Sequence, residues 1–234
     1  ELWPDMCLLG KKQSPVDLPR PRGKSTKSAQ NRDEISFDPS GVDGIVVSNT
    51  GHGSPMVSFK QGTKMQLSGG RGKPKQYKLL QFHFHTPSEH AFEGQRTAME
   101  AHLVHQNIET GGLAVIGVML EPGGQTNDCL KAALDLVPIG DQPNAELKYK
   151  LNPLKLLPQP DLKGRYSYVH YSGSLTTPPC TEGVQWYVLT KPLQIADSQI
   201  LKFMKFAGSG KTYGKNSRPL QNDQNDEVAF DITV

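Results

Sequence analysis

Along most of the chain apolar and polar residues alternate in short runs, and one run departs from this. Leu113 to Leu120, Leu-Ala-Val-Ile-Gly-Val-Met-Leu, is apolar throughout. An unbroken apolar run of strand length is the pattern of a central strand buried on both faces, so this segment is the best predicted core element. Ile35 to Phe37, Ile45 to Val47, Met56 to Phe59, Lys64 to Leu67, Tyr77 to Leu80, Tyr166 to Tyr171 and Val184 to Leu189 read as further strands, broken by Gly, Pro and Asn. Two stretches change period. Asn127 to Val137 offers a cap followed by Leu130, Ala133, Leu134 and Val137 at helical spacing, and Ser198 to Ala207 puts Ile200, Phe203, Met204 and Ala207 on one side of a second helix. Residues 1 to 34, rich in Pro, Lys, Arg and Ser, predict an irregular surface arm, and Asn152 to Pro160 a loop. There is no internal repeat and no linker. Many short strands with a few small helices predict one antiparallel, β-dominated domain over residues 1–234.

Composition narrows the class. With 234 residues, 35% of them apolar, the chain can bury a core without staples, and no apolar run approaches the roughly 18 residues of a membrane-spanning helix. Net charge is +3, and the excess sits early: seven basic residues and one acid, Asp17, lie between Lys11 and Arg32. Arg71, Lys73, Lys75 and Lys78 form a second basic run. A solvated basic face accounts for both, with attraction to an anionic membrane or acidic partner as the other reading. No motif or aromatic interleaving supports nucleic-acid binding. The start, Glu1-Leu2-Trp3-Pro4-Asp5, has neither initiator Met nor a leader pattern, which predicts a trimmed chain.

Candidate chemistry is concentrated in Gln81 to His105, which holds five of the seven histidines. In Gln-Phe-His-Phe-His the side chains alternate faces, so Gln81, His83 and His85 project together while Phe82 and Phe84 face away. Glu100 and His102 share a face on a second run, Met-Glu-Ala-His-Leu-Val-His, which a hairpin around Phe92 to Gln95 brings alongside. Three neutral imidazoles without carboxylate or thiolate form the ligand set of a catalytic zinc site, with the fourth position free for water. Gln81 and Glu100 each precede a histidine by two residues on the same face, where they can fix its tautomer and orientation. Taken alone, His-x-His also fits a strand whose histidines pack in a core.

The segment resembles the metal-binding core of the alpha-class carbonic anhydrases, and other phrases of that family stand in its order: Gln13-Ser14-Pro15-Val16-Asp17, Asn49 to Gly53, Ser88-Glu89-His90, Gly173 to Pro179 and Asn216 to Pro219. Details at Pro122 to Gly124 and at Lys211 to Gly214 look plant or green-algal. The resemblance implies a large, predominantly antiparallel twisted sheet of about ten strands with short surface helices. It implies a Zn2+ enzyme that hydrates carbon dioxide to bicarbonate and a proton by zinc-hydroxide attack, with His83, His85 and His102 as ligands and Gln81, Glu100 and Asn216 behind them. Thr176 would orient the hydroxide through a buried, ionised Glu89. Read without the family, Thr176 is a turn residue and Glu89 a surface acid. Val104, Val115, Leu175, Val184 and Trp186 would form the apolar substrate wall, with Thr177 beside it.

His52, between glycines, is the implied proton shuttle, since histidine titrates in the required range. Thr50 and Met56 stand where many members have amides that order the shuttle's water. His90 and His105 are expected to hydrogen-bond in the wall, His170 to be structural, and Arg218 to brace the site beside Asn216. Ser217 replaces a common Trp. The family also implies a Cys7–Cys180 disulfide, worth roughly 4 to 5 kcal/mol in the chain-entropy model, and hence an oxidising compartment, either a secreted or periplasmic space or a thylakoid lumen serving photosynthesis. Cys129 would be an inert buried thiol. Sulfonamides and anions are the expected inhibitors. A non-catalytic binding or storage relative is the alternative, and such a relative would lose a ligand histidine or the threonine, both of which this chain keeps.

Overall fold

The computed structural model describes residues 3–21, 33–38, 42, 44–68, 73–208, 214–221 and 231–233. In chain order these form α1 (Asp5–Leu9), β1 (Asp17–Leu18), β2 (Glu34–Phe37), β3 (Ile45–Asn49), β4 (Pro55–Phe59), β5 (Lys64–Ser68), β6 (Lys75–His85), β7 (Ala91–Phe92), β8 (Met99–Asn107) and β9 (Leu113–Pro122). Then come α2 (Asp128–Leu136), β10 (Ala145–Leu147), β11 (Tyr168–Ser174), β12 (Glu182–Ile195), α3 (Asp197–Gly208) and β13 (Asp231–Thr233). Eleven strands make one sheet in the order β10-β3-β4-β6-β8-β9-β12-β11-β13, with β5 also on β6 and β2 on β5. A two-stranded parallel pair, β1 and β7, stands apart.

The sheet is mixed, which corrects the antiparallel expectation in one place: β12 runs parallel to β9. The connection explains it. Between the two strands the chain spends α2, β10 and β11, a crossover long enough to return it to the same end of the sheet. β9 is buried from Ala114 to Leu120, as its unbroken apolar run requires.

The sheet separates two apolar layers. The larger includes Phe82, Phe84, Met99, Leu103, Ile116 and Val118 with the inner faces of α2 and α3. The smaller, across the sheet, gathers Val104, Val115, Val184, Val188, Tyr171 and Trp186. A β-bulge decides which side the histidines take. Opposite β8 the register slips between Leu79 and Gln81, so Leu80 is an extra residue. The slip switches the parity of β6, which lets Tyr77, Leu79, Phe82 and Phe84 all enter the larger layer and turns His83 and His85 to the opposite face.

Other departures are local. The arm is not wholly irregular, since it contains α1 and β1. β11 begins at Tyr168, not Tyr166, and β12 continues beyond Leu189 to Ile195. Asn127 caps α2 by accepting from the N–H groups of Cys129 and Leu130. In α3, Ile200, Phe203 and Ala207 are buried, but Met204 is 42% exposed and leaves the predicted stripe. Residues 22–32, 69–72 and 211–213, on which parts of the arm, the basic loop and the Lys211 to Gly214 phrase fall, lie outside the described residues.

Candidate metal centre

β6 and β8 pair antiparallel with His83 opposite His102 and His85 opposite Glu100. Facing positions on neighbouring strands bring side chains within a few ångströms, and the three imidazoles converge: one ring nitrogen from each of His83, His85 and His102 lies within 4.8 Å of the others. Each ring has one nitrogen already engaged. His83 Nδ1 donates to Gln81 Oε1 at 2.8 Å, His85 Nδ1 to the Asn216 carbonyl at 3.4 Å, and His102 Nε2 to Glu100 Oε1 at 3.0 Å. That leaves Nε2, Nε2 and Nδ1 with lone pairs. His85 Nε2 is buried without any hydrogen-bond partner, and an orphaned imidazole nitrogen aimed at two others is what a cation would satisfy. The donor set fits a metal, and three neutral nitrogens suit zinc or a similar ion.

Burial pushes the His83 imidazole down to about 3 and His85 well below its ordinary value, with the neighbouring imidazoles acting in the same direction. Both rings are therefore neutral and able to ligate across the physiological range. Burial works the other way on Glu100, but His90 and His102 outweigh it and hold its carboxyl well below the usual range.

Glu100 is the hub behind His102. Its Oε2 accepts the backbone N–H groups of Glu89 and His90 at 2.8 and 2.9 Å, and its Oε1 accepts from His90 Nδ1 at 2.8 Å as well as from His102. His90 Nε2 lies 2.6 Å from the Tyr171 hydroxyl, itself 2.8 Å from Ser14 Oγ. With His90 Nδ1 donating to Glu100, its Nε2 accepts, and the Tyr171 hydroxyl is the donor. β9 makes room for the carboxylate at Gly117, where a Cβ would stand 2.9 Å from Glu100 Oε1 and 3.3 Å from a Val188 methyl. The Ser14–Tyr171–His90 chain and Gly117 escaped the sequence reading. Gly117 interrupts an otherwise bulky apolar strand, which was the available signal.

Asn216 joins three segments. Its side chain donates to the carbonyls of Gly53 at 3.0 Å and Phe84 at 3.1 Å and accepts from the Thr86 N–H at 2.8 Å. The turn carrying His52 is thereby tied to the end of the histidine strand. His52 is exposed, between Gly51 and Gly53 at φ 75 and 70°, conformations glycine adopts without strain.

Glu89 is 1% exposed, so the surface-acid reading fails, whereas Thr176 lies in the bend that leads into the turn at Pro178 and Pro179 and is itself buried, at 5%. Burial pushes the Glu89 carboxyl up to about 8, while the nearby Thr176 hydroxyl and the Arg218 N–H pull the other way; that N–H donates to Glu89 Oε1 at 2.8 Å, and Oε2 is buried without a hydrogen-bond partner. A cation on the three imidazoles would lower it further. Arg218 also donates from its guanidinium to the carbonyls of Ser14 and Cys7, both at 2.7 Å. Cys7 and Cys180 are joined as a disulfide, which suits an oxidising compartment, and Cys129 is a buried free thiol.

Val104, Val115, Val184 and Trp186 fall in the smaller apolar layer with Leu175 at its margin. The Trp186 ring lies 4.8 Å from that of His102, which puts this layer against the imidazoles. A cavity of about 350 Å³ is lined by Trp3, His52, Thr176, Thr177, Lys215 and Arg218 among others, while the three imidazoles and the five apolar wall residues are not part of its lining. His105 is elsewhere: it is buried against Phe37 in the larger layer and donates from Nδ1 to the Leu103 carbonyl at 2.8 Å.

The family profile of eukaryotic-type carbonic anhydrases matches residues 1–231. The chain belongs to the eukaryotic-type carbonic anhydrase family. Among its relatives in that family is a Nostoc carbonic anhydrase, 33% identical over 94% of this chain and 77% of its own. A solved carbonic anhydrase of Chlamydomonas reinhardtii in complex with acetazolamide superposes with a TM-score of 0.86 at 43% identity, covering 97% of this chain and 94% of that one. One from Thermovibrio ammonificans with sulfanilamide gives 0.76 at 32%, covering 97% and 88%. Among the described residues no helix is long and apolar enough to cross a membrane.

Proposed function

We propose that this carbonic anhydrase fold, acting as one functional unit, hydrates carbon dioxide reversibly to bicarbonate and a proton at a zinc ion held by His83 Nε2, His85 Nε2 and His102 Nδ1. The observation that carries the reading is the orphaned His85 Nε2 facing two other free imidazole nitrogens. Zinc on three neutral ligands supplies the charge that brings water's acidity into the neutral range, a property for which carbonic anhydrases are themselves the reference case.

The chain's own residues do the rest. Gln81, the Asn216 carbonyl and Glu100 fix the tautomer of each ligand ring. An ionised Glu89 can only accept, so it takes the Thr176 proton in a hydrogen bond and turns the Thr176 lone pairs toward the attacking oxygen. That contact orients the nucleophile at the carbon. Val104, Val115, Leu175, Val184 and Trp186 hold an uncharged linear substrate without offering a competing hydrogen bond, and Thr177 borders the opening. His52 then takes the released proton to solvent, its turn held in register by Asn216.

Two solved relatives are complexes with acetazolamide and with sulfanilamide, and by analogy this chain takes sulfonamides at the centre formed by His83, His85 and His102. The disulfide and the algal, plant and bacterial relatives favour a thylakoid lumen or an extracytoplasmic space, the former coupling the reaction to photosynthesis.

The test is metal analysis with a pH-drop assay on dissolved carbon dioxide. Stoichiometric zinc and turnover are expected in the native chain, with both lost in His83→Ala. Full turnover in that variant would overturn the ligand assignment, and a zinc-loaded native chain without turnover would make this a binding or storage protein.

A further inference from the structure

The cavity that His52 borders is walled by hydrogen-bond donors. Lys215 and Arg218 supply two cations to its lining, Ser217 stands between them in the chain, and no carboxylate lines it among the described residues. The neighbouring acids are Asp5, two residues beyond Trp3, and Glu89, which takes the Arg218 backbone N–H; neither reaches the wall.

Arg218 is 5% exposed, and a guanidinium taken that far out of water needs partners. Those it has are neutral. The Gln13 side-chain carbonyl and the Ser14 and Cys7 backbone carbonyls accept from it at 3.0, 2.7 and 2.7 Å, and its central carbon lies 5.1 Å from the centre of the Trp3 ring. That leaves the Nε–H and one Nη2–H to spare. Lys215 is exposed and has no ion-pair partner among the described residues. The Ser217 hydroxyl accepts from Arg96 Nη1 at 3.4 Å, so its own proton is free to be donated.

Donors and unneutralised cations facing one cavity are complementary to an oxyanion, and about 350 Å³ admits one of phosphate size. The place beside His52 narrows the class. A group that relieves a shuttle histidine of its proton works best with a proton affinity near the working pH. A carboxylate, protonated only near pH 4, is too weak a base, whereas a phosphate group takes up its second proton at about pH 6. We propose that the cavity is a binding site for a small dianion of the phosphate class, held by Lys215, the spare N–H groups of Arg218 and the Ser217 hydroxyl, and that the bound dianion takes the proton from His52. In that step an imidazolium N–H bond breaks, an O–H bond forms on the dianion, and the ion leaves as a monoanion, more weakly held for the charge it has lost. The acceptor role rests on the hydration reaction proposed above; the site does not.

The test uses the zinc-loaded full chain and inorganic phosphate at constant ionic strength. Calorimetric titration should show saturable binding with a dissociation constant on the order of 1 mM. Lys215→Gln should weaken it roughly tenfold, and Ser217→Trp, which fills the cavity, should abolish it; near-ultraviolet circular dichroism checks the fold of both variants. In otherwise dilute buffer, maximal turnover should rise with phosphate and saturate over the same concentrations as binding. Sulfate, which holds no proton near neutrality, should displace phosphate without raising turnover. Absent saturable binding, or binding unchanged in both variants, overturns the site. So does a fall in kcat/KM for carbon dioxide in step with binding, which places the ion on the metal instead. Turnover that climbs in strict proportion to phosphate is the behaviour of free buffer and overturns the acceptor role. A chain that binds phosphate but shows no turnover keeps the site and loses the acceptor role together with the hydration reaction.

Discussion

Glu100 holds His102 by its Nε2 at 3.0 Å, and that contact alone decides that His102 presents Nδ1 to the centre while His83 and His85 present Nε2. The same carboxylate accepts two backbone N–H groups and His90, so it has no capacity for a donor of its own. Glu100→Gln puts an NH2 against either the N–H pair or the rings. Metal affinity should fall roughly 10- to 100-fold with the three ligands intact. Competition with a zinc chelator measures it, and unchanged affinity would remove Glu100 from this role.

His52 is joined to the histidine strand through Asn216, yet its own ring is exposed between two glycines. His52→Ala should slow maximal turnover in dilute buffer by about tenfold or more while leaving kcat/KM for carbon dioxide in place. Added imidazole should restore it. A variant that stays slow in imidazole denies the shuttle role.

Burial holds the His105 imidazole down at about 4, against 6.5 in an unfolded chain, despite its bond to the Leu103 carbonyl. Because the folded value is the lower one, protons favour the unfolded chain. The stabilisation is complete above pH 6.5 and is lost as pH falls from there through 4, roughly 3 kcal/mol in all. Urea unfolding near neutral pH and at about pH 5 should therefore show a smaller acid-induced loss in His105→Gln than in the native chain. Identical losses would contradict it.

The Cys7–Cys180 bond closes a loop with a sequence separation of 173. Removing it in the double variant Cys7→Ser with Cys180→Ser should cost about 5 kcal/mol, or about 10 to 20 °C in melting temperature. A reductant should lower the melting temperature of the native chain and leave the variant unmoved.

Much of this arrangement was legible because strands write their faces into sequence. The alternation at Gln81 to His85 and Glu100 to His102 predicted a three-imidazole face, and the unbroken run at Leu113 predicted the buried central strand. What stayed hidden depends on partners distant in sequence. The parity switch at Leu80 follows from pairing with β8, and the parallel join of β12 to β9 follows from a crossover that no local period encodes. Glu89 reads as a surface acid until Arg218 and Thr176, far along the chain, enclose it. Met204 has helical spacing and the right polarity, but α3 rotates it away from the sheet.

Gly117 sets a limit on how this chain can be improved. A bare position inside a buried strand is where a protein engineer seeking heat tolerance would first add bulk, since alanine or valine there ought to stiffen the backbone and fill space. The free volume already belongs to a carboxylate oxygen. A single added methyl would displace it, set the His102 ring loose and weaken metal retention, so a substitution remote from every ligand in sequence would read out as loss of the ion.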